Sequence, residues 1–320
     1  MNSIAIAFLS LLAGFVLLIK GADFFVEGSS STARRLRVPS IIIGLTIVAM
    51  GTSLPECAVS ITASLNGSNA LAVSNVIGSN IFNLMIVCGV CAFLSPMSVD
   101  RQLLKREDPL SILCAILLLL TGYVDMLLGH VDGLLFLALF VIYLALMIHS
   151  ALAARKDHPA GSADTDAEEY PLLPVWQCVL YIIGGAAAIK FGGDFVVDGA
   201  SAIASAFGMS ENLIGLTIVA LGTSLPELVT SIVAARKNEV DMALGNAIGS
   251  NIFNILLVLG IAATISPIGF IRENVIDIVA LIIMSLIVWL LALKKEELSR
   301  LDGALMILLY IIYFVYIMIR

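Results

Sequence analysis

Apolar stretches of about 20 residues, the length needed to cross roughly 30 Å of hydrocarbon, recur along almost the whole chain and are separated by short polar breaks. Their spacing predicts about ten helices, over residues 3–26, 40–65, 71–94, 108–124, 133–153, 173–197, 211–235, 241–264, 275–293 and 301–319. The runs are continuous rather than alternating, which argues against the strands of about ten residues that build a membrane barrel. Composition strengthens the picture: 60% of the 320 residues are hydrophobic and only 13% are charged, and the mean hydropathy is +1.06. Such a chain belongs in a bilayer. The first run lacks basic residues before Ile4 and a small-residue cleavage site after it, so it is retained as helix one instead of a signal peptide.

Basic residues alternate along the connections. Arg34, Arg35 and Arg37, then Arg101, Lys105 and Arg106, then Arg155 and Lys156, then Arg236 and Lys237, then Lys294, Lys295 and Arg300 all follow odd-numbered helices. They are thirteen of the seventeen; Arg272 and Arg320 fall on the other side, and Lys20 and Lys190 fall within helices. Because short cytoplasmic loops collect Lys and Arg, the expected placement is a multi-pass cell (inner) membrane protein with both termini outside and the central loop cytoplasmic. Much of the net charge of −7 sits in that loop, between Asp157 and Glu169, which reads as a solvated linker.

Sliding the sequence against itself by 171 residues superposes its two halves. Gly44–Glu56, GLTIVAMGTSLPE, meets Gly215–Glu227, GLTIVALGTSLPE, with twelve of thirteen positions identical. Ser74–Asn83, SNVIGSNIFN, meets Gly245–Asn254, GNAIGSNIFN, with eight of ten identical. The same shift carries Asp23 onto Asp194 and Gly28 onto Gly199. An odd number of helices per unit makes the second copy enter the membrane in the opposite sense, an inverted-topology repeat. The expected organisation is therefore a first five-helix repeat over 1–153, a cytoplasmic linker over 154–172 and a second five-helix repeat over 173–320. Repeats of this kind place substrate near the bilayer midplane, on helices interrupted there.

The repeated motifs carry oxygen chemistry. Ala49, Thr52, Ser53 and Glu56 share one helix face, and Ala220, Thr223, Ser224 and Glu227 repeat it. Pro55 and Pro226 lack an amide hydrogen and crowd the carbonyls of Gly51 and Gly222, so each helix is expected to kink and release carbonyl oxygens. Ser79 with Asn83, and Ser250 with Asn254, lie one turn apart on single faces. An ionised glutamate at the centre of a span costs on the order of 2.5 kcal/mol or more, so two of them point to function. Together they supply the charge to neutralise one divalent cation, and hydroxyl, amide and carbonyl oxygens complete an all-oxygen shell of the kind that suits Ca2+ and that Na+ also accepts. The structural alternative is pairing of these carboxylates with Lys20 or Lys190. Lys20 is otherwise expected to snorkel or to pair with Asp23 or Glu27, and Lys190 to pair with Asp194.

The doubled GTSLPE motif, each copy followed by GSNIFN, resembles the two α-repeats of the cation/Ca2+ exchanger superfamily and, within it, the prokaryotic Na+/Ca2+ exchangers. The resemblance implies ten helices in two inverted halves and a secondary antiporter working by alternating access. It implies Glu56 and Glu227 as Ca2+ ligands shared with Na+, joined by Thr52, Thr223 and the carbonyls of Ala49 and Ala220. By the same match Ser53, Ser224, Ser79 and Ser250 are similar to Na+ ligands, and Asn83 and Asn254 flank the centre. Some members carry Asp where this chain has Asn254, which speaks against K+ cotransport of the kind associated with that Asp. Helices one and six, long and rich in Gly, resemble the pair that slides in this family. No cofactor, nucleic acid or obligate protein partner is implied beyond the transported ions and the bilayer.

Two other transport readings use the same residues: a divalent cation/H+ exchanger, with the glutamates carrying protons, and a passive channel, which the twofold pair of interrupted helices suits less well than a buried site does. An enzyme is not expected. His130, His149 and His158 lie at helix ends or in loops without metal-ligand spacing, and read as surface residues. Cys88 and Cys91 form C-x-x-C inside an apolar helix with Leu259 and Ala262 as repeat mates, which points to packing; Cys57, Cys114 and Cys178 also lie in spans.

Overall fold

The computed structural model describes residues 2–65, 69–157, 172–209, 218 and 220–319. Helix α1 (Asn2–Leu36) is followed by α2 (Ser40–Thr52) and α3 (Leu54–Leu65), then α4 (Ala72–Leu94), α5 (Leu103–Val124) and α6 (His130–Asp157). The second half runs α7 (Val175–Ala206), α8 (Ala220–Gly222), α9 (Leu225–Arg236), α10 (Val240–Ile265), α11 (Arg272–Lys295) and α12 (Arg300–Ile319). Among the described residues eight helices are long and apolar enough to span a bilayer, or nine with α2 and α3 counted as one bent span. The helix expected over 211–235 lies partly outside the described residues; α8 and α9 are the part that is seen.

Helices α1 and α7 continue past the expected ends at residues 26 and 197. Past residue 26, α1 is polar but partly shielded: Ser29 and Ser31 are buried, and Ser31 Oγ accepts the Leu173 amide at 2.9 Å. Hydropathy alone ends a helix where the lipid ends; packing carries it further.

The two halves interlock. α4 and α10 form the buried centre, and every residue of α10 from Met242 to Phe253 is shielded. α1 and α7 pack side by side, over a seam of glycines. A β-carbon on Gly14 would lie 2.7 Å from the Val196 amide nitrogen, and one on Gly185 2.8 Å from the Gly21 carbonyl. Contact this close is available only to small residues.

Short strands tie the connections. β1 (Met97–Ser98) pairs with β4 (Glu297–Leu298), and β2 (Leu127–Leu128) pairs with β3 (Ile268–Gly269). The connections after the third and ninth spans thus meet, and so do those after the fourth and eighth. The register also corrects the ungapped shift: Met97 faces Leu298 and Ile268 faces Leu128, so the fifth helix of the second half follows its mate at 170 residues, one fewer than the rest. Left-handed Met126 and Glu296, and the Asp132 and Asp302 carboxylates that take the Gly129 and Ser299 amides, are related by the same 170.

Candidate functional site

The break in the second span forms as its proline demands. Ser53 sits at φ −82°, ψ 8° and its mate Ser224 at φ −94°, ψ 5°, the sparsely used bridge region between helix and strand, and α2 and α3 meet at 49°. Wide π-helical turns occur at Gly44–Val48, just before Ala49, and at Asn83–Val87 and Asn254–Leu259, each opening on a predicted site residue. Such turns loosen the backbone where a helix is asked to offer more than packing.

Glu56 and Glu227 are fully buried, and hydroxyls of the opposite repeat hold them. Ser224 Oγ lies 3.0 Å from Glu56 Oε1 and 3.0 Å from Ser79 Oγ, while Ser79 Oγ lies 3.4 Å from the same carboxylate oxygen. Ser53 donates to Glu227 Oε1 at 2.9 Å. Thr52 Oγ1 stands 3.1 Å and 3.4 Å from the Val48 and Ala49 carbonyls. The second carboxylate oxygen of each glutamate has no hydrogen-bond partner.

Four asparagines close the centre. Asn80 and Asn251 exchange bonds across the pseudo-twofold axis, each Nδ2 donating to the other's main-chain carbonyl at 3.1 Å. A carbonyl can only accept, so both amides are oriented. Asn83 Nδ2 then donates to Asn251 Oδ1 at 3.3 Å, and Asn254 Nδ2 to Asn80 Oδ1 at 3.1 Å. This leaves the Oδ1 atoms of Asn83 and Asn254 buried and unpartnered. Two carboxylate and two amide oxygens without donors are what a bare cation satisfies and an apolar core does not. Among the described residues no three His, Cys, Asp or Glu side chains converge, so charge at this site comes from the glutamate pair.

The structure therefore brings together Glu56, Glu227, Thr52, Ser53, Ser224 and Ser79, with Asn83 and Asn254 beside them. Ser250 is buried on α10, and its hydroxyl has no hydrogen-bond partner. Ala49 is buried, and Ala220 is the first residue of α8. Thr223 stands apart: its hydroxyl has no partner, and it lines a cavity of about 310 Å³ with Pro55, Pro226, Lys190, Asp194 and Asp198. Lys190 bonds Asp194 at 2.5 Å, as its spacing predicts. Of the two expectations for Lys20, the pairing gives way to Lys237, which takes Asp23 at 2.6 Å and lies 3.7 Å from Glu27; Lys20 is exposed, as a snorkelling side chain would be. Asn75, Asn80, Asn246 and Asn251 were not anticipated. A signal was present, since each recurs at 171 residues within the repeated motif, but an amide reads as filler until its partner on another helix is known.

The cysteines Cys88 and Cys91 are buried in α4; His130 and His149 are exposed, and His158 lies outside the described residues.

A family profile described as sodium/calcium exchanger protein matches residues 6–149 and 178–319, one match per half. CaxA of Alkalimonas amylolytica is 44% identical over 96% of this chain and 97% of its own. The sodium/calcium exchanger MaX1 of Methanosarcina acetivorans is 32% identical, with 98% of each chain covered. The solved structure of the sodium-calcium exchanger NCX_Mj soaked with 2.5 mM Na+ and 10 mM Sr2+ matches at a TM-score of 0.84 and 35% identity, covering 98% of this chain and 99% of that one.

Proposed function

The chain belongs to the sodium/calcium exchanger protein family, and from that membership we propose that it moves Ca2+ against Na+ through one midplane site shared by its two halves. The observation that carries this reading is the set of unpartnered oxygens at the centre: one on each of Glu56 and Glu227, and one on each of Asn83 and Asn254. Two carboxylates neutralise one Ca2+, whose flexible shell of about six to eight oxygens accepts carboxylate, hydroxyl and carbonyl donors together. Thr52, Thr223 and the Ala49 and Ala220 carbonyls complete that shell, and Ser53, Ser79, Ser224 and Ser250 serve Na+ in the same space. An empty site holds two like charges in a low dielectric, which resists closure; a filled one does not. Closing only when filled by one ion or the other enforces exchange.

The basic connections face the cytoplasm in this reading. α7 then runs outward from Val175, and the cavity beside Asp194, Asp198 and Thr223 opens to the outside. At the cytoplasmic end the space among Glu27, Ser30, Lys237 and Glu239 is about 10 Å³, no more than a single water requires. The conformation supports an outward-open state.

Exchange against H+ is the second reading, favoured by the burial of the same two acids. Uptake of 45Ca2+ into proteoliposomes loaded with Na+, with and without a pH gradient, separates the two. Uptake is expected to require the outward Na+ gradient and to fall about a hundredfold or more in Glu56→Gln, the loss of one partner of a buried charge set. Uptake that follows the pH gradient and ignores Na+ puts the proton exchanger first.

A further inference from the structure

A hydroxyl that ligates a cation must turn its proton away from the ion, and Thr52 has a single proton with several acceptors around it. The Val48 and Ala49 carbonyls stand at 3.1 and 3.4 Å, and the Glu227 carboxylate lies on the same side. The closest of the neutral acceptors comes from the other repeat: Asn246 Oδ1 of α10, at 3.0 Å. The orientation of that amide follows from its other contacts. Its Nδ2 lies 3.4 Å from the Glu227 main-chain carbonyl, which can only accept, and 3.0 Å from Ser231 Oγ. Ser231 in turn gives its own proton to the Ala243 carbonyl at 3.3 Å, so its oxygen is free to accept. Every bond in the chain points one way, and Oδ1 is the end presented to Thr52.

We infer that Asn246 is a positioning residue for ion binding: it draws the Thr52 proton out of the site, so that the Thr52 oxygen faces the ion with its lone pairs. Asn246 is fully buried, and both ends of its amide are engaged by protein groups. Its repeat mate Asn75 donates to Ser60 at 3.1 Å, repeating the Asn246–Ser231 bond, but Thr223 makes no matching bond to it. The orienting bond is thus closed in the half whose threonine is sealed and open in the half whose threonine lines the cavity.

This inference rests on the Na+/Ca2+ reading of the site, and one experiment tests both. Ca2+ uptake is measured against Ca2+ and Na+ concentration for the wild type, Asn246→Leu, Thr52→Ala and the double variant, with the amount of monodisperse protein as the check on folding. Asn246→Leu is expected to raise the KM for Ca2+ about tenfold while keeping the maximal rate, and to add nothing once the Thr52 hydroxyl is gone. An unchanged KM, or effects that multiply in the double variant, overturns the positioning role. Wild-type protein that moves no Ca2+ overturns the reading of the site, and this inference with it. If Asn246→Leu is not recovered folded, Ser231→Ala takes its place: a rise of about threefold is expected with Thr52 present, and its persistence in Thr52→Ala overturns the inference.

Discussion

The two flanks of this molecule share a sequence pattern and differ in conformation. On α1, Asp23 and Glu27 are engaged by Lys237 at the end of α9, and Ser30 donates to Glu239. On α7 the mates Asp194 and Asp198 border a cavity of about 310 Å³, and among the described residues the ion pair of Asp194 is with Lys190 on its own helix. Thr52 is tied across the repeats while Thr223 is not. An inverted repeat can hold both conformations of one motif at once. Residues that are not duplicated choose between them: the position matching Lys237 is Asn66, and that matching Phe25 is Val196. Phe25 fills the space over Gly51, and Val197, one position beyond the mate of Phe25, fills the space over Gly222.

The comparison breaks most severely if the flanks cannot exchange. Gly185→Val places a β-carbon 2.8 Å from the Gly21 carbonyl and the Phe25 backbone, and overpacking of this kind costs about 1–3 kcal/mol. Exchange is expected to slow about tenfold or more with the equilibrium affinity for Ca2+ retained, as measured by uptake beside isothermal calorimetry on the same preparation. Loss of binding along with transport means instead that the seam holds the site together.

A smaller effect is expected from Lys237→Ala. Its ammonium is mostly shielded and holds two carboxylates of α1, a partly buried ionic contact whose removal shifts a two-state balance by about fivefold. The ratio of apparent Na+ affinities in inside-out and right-side-out vesicles reports that balance. Lys190→Ala, which removes a pair confined to one helix, should leave the ratio within about twofold; equal shifts in both variants erase the distinction between the flanks. The smallest effect belongs to Arg101 and Glu296, which pair at 2.8 Å while largely exposed. Arg101→Ala is expected to move the thermal midpoint by no more than about 1–2 °C.

Legibility from sequence followed how local each feature is. The break at Ser53 and Ser224 was readable from Pro55 and Pro226, because a missing amide hydrogen acts within one turn. Lys190 with Asp194 was readable for the same reason, being four residues apart on a helix. Lys237 with Asp23 was not, since 214 residues separate them and Lys20 lay nearer along the chain. Repetition made the glutamates conspicuous, but Asn246 reveals its role only when the contacts on both faces of its amide are known.

By itself the sequence determined the all-helical membrane class, the two inverted halves, the interrupted spans and the pair of acids in their middle. These follow from hydropathy, from an odd number of spans per copy and from backbone chemistry local to each proline. Tertiary structure alone decided which hydroxyl meets which carboxylate, how four asparagines orient one another, and which flank stands open. Each of those depends on distances between helices far apart in the chain, and a duplicated motif carries no local mark of which copy is closed.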